Sequence, residues 1–217
     1  GESYPGNFTQ YADFKQFSQE VRIQSNLGGA FNFLTGAFYS HGKFIFNTDA
    51  YILPFAPPPG QTYTTFKRDN GFSSNSLSGF LQGTLTISNF ELAAGARWSS
   101  EERSSYQRTL AANPSIVAPV GGALLPAFPG GIALNDKFRD TNLSPEVTLR
   151  YKPNANTTFY AAYKQGFKTG GYNISQALSL AALFNPQGAL NSGRFGRESA
   201  KGGEVGARGQ LLDGPQK

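Results

Sequence analysis

The sequence predicts an all-β chain: an antiparallel meander of about seven strands that forms an open, partial section of a transmembrane β-barrel. Three observations support this prediction. Short turns alternate with long connections, side chains alternate between two faces within each strand, and aromatic residues stand near the strand ends. Collecting short turns at one end and long loops at the other is typical of a bacterial outer-membrane barrel. A soluble sandwich has no physical reason to sort its loops in this way.

The connections show this alternation directly. Strand-like segments pair as 17–25 with 30–40, 75–88 with 90–100, and 141–151 with 157–167. Only residues 26–29, 88–89 and 153–156 separate the members of each pair. Long connections are predicted between the pairs, over 41–74, 101–139 and 168–198.

Within the strands, apolar and polar side chains alternate with a period of two residues, which places them on opposite faces of a sheet. The segment 140–151 is the clearest example, because Val147 and Leu149 oppose Ser144 and Glu146. The other alternating segments carry their apolar residues at Phe17, Val21 and Ile23; Leu77, Leu81, Leu85 and Ile87; Phe90, Leu92, Ala94, Ala96 and Trp98; Phe159, Ala161, Tyr163 and Phe167; and Val205, Ala207 and Leu211. Alternation does not assign the faces of 30–40.

The apolar face ends in aromatic residues, which predicts two lipid-facing girdles. The predicted girdle residues are Phe90, Tyr151 and Phe159 near the short turns, and Phe17, Trp98 and Phe167 near the long connections. The strand from Phe90 to Trp98 spans about 26 Å, or about 20 Å after a tilt near 40°, against a lipid-facing band about 25 Å tall. Aromatic core residues placed by chance are the alternative reading.

The opposite face is charged. The residues predicted to face a barrel lumen are Glu20, Arg22, Arg97, Glu146, Arg150, Lys164 and Arg208. In the middle of a bilayer a charged side chain costs about 2–4 kcal/mol, so these residues must face water or each other.

The three long connections differ in composition. The first two are rich in Pro, Gly or Ala and show neither a strand nor a helix period. In the third, apolar residues recur at helical spacing, at Ile174, Ala177, Leu178, Ala181 and Ala182. This spacing predicts one short helix, capped by Asn173 or Ser175 and stopped at Asn185 and Pro186. Ligand contact is expected in these long loops.

Composition excludes several functional classes. The chain has no cysteine and a single histidine, His41, so we expect no metal site and no cofactor. It contains no phosphate-binding loop, nucleophile elbow or zinc-protease motif, so we expect no enzyme. The net charge of +5 is spread along the chain, which argues against nucleic-acid binding.

Several segments resemble strands of the TonB-dependent outer-membrane receptors. The matching segments are 17–25, 94–98, 143–146, 160–173 and 198–206. The segment 160–173, which reads YAAYKQGFKTGGYN, is the most specific match. The last segment resembles the family's PE-x-x-x-x-YE-x-G strand, with Arg197 in place of the proline and Gly203 in place of the aromatic residue.

The resemblance implies a section of a 22-stranded barrel with a plugged lumen, located in the bacterial outer membrane. It also implies energised uptake of a scarce ligand, most often a ferric siderophore and otherwise cobalamin, haem or a glycan. The expected partners are outer-membrane lipid, the ligand, and the TonB energy-coupling complex acting through an N-terminal part. We expect residues 1–217 to be a partial barrel domain without the plug, the TonB box and the C-terminal strands. Two alternatives stay open: a passive outer-membrane porin and a soluble β-sandwich that binds glycans.

Overall fold

The computed structural model describes residues 6–52, 56–175, 178 and 180–209. Most of these residues belong to one sheet. Its strands are β1 (Gly6–Gln24), β2 (Phe31–Ile52), β3 (Phe66–Ile87), β4 (Phe90–Ala112), β7 (Ala133–Asn154), β8 (Thr157–Lys168) and β11 (Glu198–Gly209). Ala177 and Leu211, which the sequence places on a helix and a strand, lie outside the described residues.

The seven strands lie in the order β1-β2-β3-β4-β7-β8-β11, and every neighbouring pair is antiparallel. The sheet is open, with β1 and β11 at its edges. The predicted open antiparallel meander of seven strands is therefore confirmed.

Five strands are much longer than the sequence predicts. β1 begins at Gly6, β2 continues to Ile52, β3 begins at Phe66, β4 continues to Ala112 and β7 begins at Ala133. The predicted long connections over 41–74 and 101–139 are therefore wrong over much of their length. In the extended part of β2, the consecutive residues Phe44, Ile45 and Phe46 interrupt the period-two signal, and the extended parts of β3, β4 and β7 are mostly polar, although the backbone stays in the sheet.

The connection between β4 and β7 contains a small hairpin. Its strands are β5 (Val117–Val120) and β6 (Ala123–Pro126), which pair antiparallel. Gly121 and Gly122 form the turn with φ of +56° and +87°. A two-residue hairpin turn requires positive φ at both central positions in its commonest form, and glycine adopts such angles without steric cost.

The described residues of the connection between β8 and β11 form two helices where the sequence predicts one. The elements are β9 (Gly171–Tyr172), α1 (Leu180–Phe184), α2 (Pro186–Gly193) and β10 (Arg194–Phe195). Asn185 and Pro186 end one helix but also begin the next. The Asn185 side chain accepts a hydrogen bond from the Gly188 amide at 2.8 Å. Proline fits the first helical position because a backbone N–H there would have no partner within the helix, so its absence costs nothing.

The strand register assigns every described strand residue to one of two faces, because directly paired residues share a face. We call the face of Leu81, Ala96 and Leu149 the apolar face, and the face of Arg97 and Glu146 the charged face. We call the end of the sheet near the short turns the turn end, and the opposite end the loop end.

The register also assigns the faces of the segment 30–40. Phe31 and Tyr39 pair with Leu85 and Leu77, so they lie on the apolar face. Phe38 pairs with Glu20 and lies on the charged face.

Burial is unevenly distributed over the sheet. A small hydrophobic cluster at the loop end contains Ile132, Leu134, Leu178 and Ala182. On the apolar face at the turn end, by contrast, Leu81 is 59% exposed and Val205 is 82% exposed. No described part of the chain covers that face.

Candidate functional site

The structure places all seven residues predicted to face a lumen on the charged face. They are Glu20, Arg22, Arg97, Glu146, Arg150, Lys164 and Arg208. Their common face follows from the register, in which Arg97 pairs with Ser144 and Glu146 pairs with Lys164. That this face lines a lumen stays a prediction.

Ion pairs connect several of these residues at the turn end. Glu91 accepts hydrogen bonds from Arg150 and from Lys152, the second at 2.8 Å. Lys164 Nζ lies 3.7 Å from Glu146 Oε2. Cross-strand pairs of opposite charge stabilise a sheet by about 0.2–1 kcal/mol each. Glu91 therefore has a larger role than alternation alone indicates, because it holds two cations on the neighbouring strand.

Two aromatic rings on the charged face contact Arg97. Its guanidinium carbon lies 5.6 Å from the Phe38 ring centroid and 5.9 Å from the Phe80 ring centroid. A guanidinium above a ring face is attracted to the negative face of the π system. This contact explains why Phe38 and Phe80 interrupt the polar pattern of their strands.

A second arrangement on the charged face lies near the β11 edge. The Tyr160 hydroxyl donates a hydrogen bond to Glu204 Oε1 at 2.5 Å. Gly206 leaves room for that ring, because a Cβ at this position would come within 2.5 Å of the hydroxyl oxygen. Among the described residues, Arg208 forms no ion pair.

The structure brings together one predicted aromatic girdle and not the other. At the turn end, the Phe90 and Tyr151 rings stack with centroids 4.7 Å apart, and Phe159 lies 6.5 Å from Tyr151. At the other level, Trp98 is paired with Leu143, and Phe167 is paired with Ser199. Phe17 contacts Tyr39 instead, at 6.5 Å.

The loop end of the charged face carries a group of aromatic residues that sequence reasoning missed. We call Phe14, Phe44, Phe46 and Phe72 the aromatic wall. The Phe44 centroid lies 6.4 Å from Phe14, 6.1 Å from Phe46 and 5.4 Å from Phe72. The register places all four on the charged face.

The connection between β8 and β11 is anchored to the same face by two buried side chains of β3. Asn70 Nδ2 donates to the Ile174 carbonyl at 2.6 Å, and Arg68 Nη1 donates to the Ser175 carbonyl at 2.5 Å. Arg68 is 6% exposed, and burial lowers the pKa of its guanidinium. Two strong donors therefore hold this connection over the loop end of the charged face.

A second anchor, the Phe138 ring, holds both ends of the same connection. The Arg194 guanidinium lies 4.4 Å from the Phe138 centroid, and Phe138 lies 5.3 Å from the Tyr172 ring. Burial raises the pKa of Tyr172 to about 12, and the negative charge of Asp136 is the second largest cause of this rise. Tyr172 is therefore neutral at physiological pH and packs as an aromatic side chain.

The missed residues have one cause in common. Phe44, Ile45 and Phe46 are consecutive apolar residues, so the segment shows no alternation although it is a strand. Phe44 and Phe46 are two residues apart, and so are Asn70 and Phe72, so the members of each pair share a face of their strand. Extending the strand assignments through this region would have revealed this signal.

The described residues contain no group of three or more His, Cys, Asp or Glu side chains that could hold a metal ion. They also contain no helix that is long and apolar enough to cross a membrane.

The family assignment follows from a match over nearly the whole chain. The model of the family described as TonB dependent receptor-like, beta-barrel matches residues 1–216. The chain belongs to this family of TonB-dependent receptor barrels. The assignment replaces the alternatives of a porin and a soluble sandwich.

A solved structure with the same fold is the ferric yersiniabactin uptake receptor FyuA from Yersinia pestis. The two chains are 17% identical and superpose with a TM-score of 0.67 over 98% of this chain. The match covers 28% of the FyuA chain. The comparison with curated proteins finds no match.

Proposed function

We propose that this chain forms part of the wall of an outer-membrane receptor for energised uptake of a scarce ligand. The ligand that we propose is a ferric siderophore. The observation that carries the proposal is the two-faced sheet. Toward the turn end of the seven-stranded sheet, large apolar residues such as Leu81 and Leu149 lie on one exposed face, and charged residues such as Arg97 and Glu146 lie on the other. Exposed apolar area of this extent requires cover, and a bilayer supplies it.

In this proposal the apolar face contacts lipid and the charged face lines the lumen. The girdle residues Phe17, Phe90, Trp98, Tyr151, Phe159 and Phe167 then stand at the two bilayer interfaces. The charged residues of the opposite face interact with water, with each other and with a plug domain contributed by another part of the complete receptor.

The ligand would contact the aromatic wall at the loop end. Phe14 is 56% exposed there, so part of the wall is free to bind a ligand. Aromatic side chains offer large apolar area at a small cost in conformational entropy. The siderophore proposal is supported by the likeness to FyuA, whose description is ferric yersiniabactin uptake receptor, and by the family.

Site-directed labelling tests which face contacts lipid. The chain has no cysteine, so Leu81→Cys and Gln82→Cys in the complete receptor each give one defined spin-label site in this segment. These neighbours on β3 point to opposite faces. The Leu81 label should be accessible to oxygen dissolved in lipid, and the Gln82 label to a water-soluble nickel chelate. Water accessibility of the Leu81 label would overturn the proposed orientation.

Uptake of radiolabelled ferric siderophores by cells that express the complete receptor tests the transport function. Uptake should stop when a protonophore removes the energy source, and Phe44→Ala should lower the affinity of the bound ligand. Uptake that persists without energy would indicate a passive pore. A receptor that takes up no ferric siderophore but a different bulky ligand would correct the ligand class alone.

A further inference from the structure

The backbone ladder between β7 and β8 stops before either strand ends. Every other pair of neighbouring strands in the seven-stranded sheet stays paired toward the loop end until one of the two strands ends. The ladder of β7 with β8 reaches only Glu146 and Lys164, although β7 extends to Ala133 and β8 to Lys168. Pro145, the next residue of β7, has no backbone N–H to donate to a ladder. We call this break between β7 and β8 the seam.

Each side of the seam is a well-paired unit. On one side, β7 stays paired with β4 as far as Ala133. On the other side, β8 stays paired with β11 as far as Lys168 and Glu198, and β9 pairs with β10 just beyond them. We call the hairpin of β8 and β11, together with β9 and β10, the ribbon. The seam begins near the level at which Leu143 pairs with Trp98. In the proposed orientation it therefore lies toward the outer side of the bilayer, where water can serve unpaired backbone groups.

Arg197 joins the ribbon to β7 across the seam. Its Nη1 atom lies 3.3 Å from Asp140 Oδ1 and donates a hydrogen bond to the Thr141 carbonyl at 3.2 Å. Asp140 stands directly opposite Glu101 of β4, and like charges in that arrangement destabilise a sheet. Glu101 pairs with Arg103 at 3.4 Å. Among the described residues, Asp140 therefore relies on Arg197 for its opposite charge.

Arg194 makes a second contact of the same kind. Its Nη1 atom lies 3.9 Å from Asp136 Oδ2, and its guanidinium lies above the Phe138 ring. The side chains of Arg194 and Arg197 are 44% and 55% exposed, so water and salt weaken both contacts. We call the two arginines and their partners on β7 the clamp; its members are Asp136, Phe138, Asp140, Arg194 and Arg197.

We propose that the seam is a hinge in the sheet and that the clamp holds the ribbon closed against β7. When the clamp breaks, the ribbon swings away from β7 about Glu146 and Lys164, the last pair of their ladder. The ladders on both sides of the seam stay intact, because neither contains a residue pair of the clamp. The contacts of Asn70 and Arg68 with residues 174–175 limit the swing, so the opening is local.

The opening uncovers a part of β4 that is buried in the closed state. Ser105 is 5% exposed and pairs with Asp136 of the clamp. Its row on the charged face also contains Phe72 of the aromatic wall. The hinge goes beyond the proposed function, because it needs neither a particular ligand nor a bilayer. In the proposed receptor, the clamp sets how wide the wall can open beside the aromatic wall.

Thiol labelling of the complete receptor, with any cysteine outside this segment removed, tests the hinge. Ser105→Cys places one thiol beneath the ribbon. Adding Arg194→Gln and Arg197→Gln should speed its reaction with a maleimide about 2- to 30-fold, because two exposed ion pairs are lost and the open state becomes more populated. Ser78→Cys, at a buried position of the same face away from the ribbon, should react at the same rate with and without the glutamines. Exchanging the charges with Asp140→Arg and Arg197→Asp should keep the rate close to that of Ser105→Cys alone.

Distances between two spin labels distinguish a hinge from general loosening. Labels at Arg139→Cys on β7 and Ser199→Cys on β11 span the seam, and their distance should lengthen and broaden when the clamp arginines are replaced. Labels at Val147→Cys and Ala207→Cys span the same strands at the same offset where the ladder is intact, and their distance should stay constant. An unchanged labelling rate of Ser105→Cys, or equal changes in both distances, would overturn the hinge. The Leu81 and Gln82 labels report on lipid contact alone, so the hinge and the proposed orientation can fail independently.

Discussion

The two ends of the sheet are covered in different ways. On β3, Leu81 at the turn end is 59% exposed, whereas Asn70 near the loop end is 1% exposed. The exposed residue belongs to the apolar face and the buried one to the charged face. At the turn end the described chain leaves its apolar face open, while at the loop end its own connections cover the opposite face.

This difference explains where sequence patterns carry information. A period of two residues arises where the two faces of a strand meet different solvents, such as lipid and water. At the loop end, one face meets water and the other meets a folded connection that forms hydrogen bonds with Asn70 and Arg68. Polar residues therefore occur on both faces there, and aromatic residues such as Phe44 and Phe72 lie on the charged face, so the pattern seen at the turn end does not continue although the strands do.

The largest effect is expected for a charge placed on the apolar face at the turn end. Leu81→Arg should destabilise the complete receptor by about 2–4 kcal/mol, because it puts a cation in the middle of the lipid-facing band. The urea midpoint of the receptor in phospholipid vesicles measures the change. Gln82→Arg on the charged face and Asn135→Arg at the exposed loop end are the controls, and both should leave the midpoint nearly unchanged. A similar loss from all three variants would remove the distinction between the two ends.

A smaller effect is expected when the buried anchor at the loop end is removed. Asn70 Nδ2 donates to the Ile174 carbonyl, and Asn70 Oδ1 accepts from the Arg108 amide at 3.1 Å. Asn70→Ala leaves buried groups without partners and should cost about 1–3 kcal/mol. Hydrogen exchange of the connection between β8 and β11 should become faster.

The matched control for this anchor is Asn75→Ala on the same strand. Among the described residues, the Asn75 side chain bonds only the side chains of His41 and Tyr39, which lie with it on the apolar face. Its loss should leave exchange in the connection unchanged. Equal protection in the Asn70 variant and the wild type would show that other contacts hold the connection in place.

Removing the stacked guanidinium of Arg97 from the charged face should lower the stability of the receptor moderately. Arg97→Gln removes its contacts with the Phe38 and Phe80 rings, each of which contributes about 0.5–1 kcal/mol at an exposed site. The urea midpoint should fall accordingly. Arg208→Gln removes a cation from the same face without a ring contact and should not shift the midpoint. Equal shifts in the two variants would indicate that net charge, and not stacking, is responsible.

The smallest effect is expected at the start of α2. Asn185→Ala removes the side-chain oxygen that caps the helix and should cost about 1 kcal/mol, with the effect confined to α2. Amide exchange within Pro186–Gly193 measures this change. Asn191→Ala, which removes only a bond from Gln187, should cost about 0.2–0.5 kcal/mol. A loss of the same size in both variants would contradict the capping role.

The candidate site was predictable in part from the sequence. Alternation places Glu146 and Arg150 on one face and Val147 and Leu149 on the other, and the register agrees. The ring contacts of Arg97 were not predictable, because they depend on how β2, β3 and β4 align side by side. The aromatic wall was missed because Phe44, Ile45 and Phe46 are consecutive and hide the face on which each one lies.

The sequence by itself determined the order and sense of the strands near the short turns. Two- to four-residue turns bring consecutive strands together antiparallel, and alternating side chains then assign each strand its faces. Only the tertiary structure decided how far the strands extend and what covers the loop end. Those features depend on contacts between residues distant in sequence, such as Asn70 with Ile174, which no local pattern encodes. The row that contains Lys15, Lys43 and Lys137 has the same origin, because these residues come together only through the register of five strands.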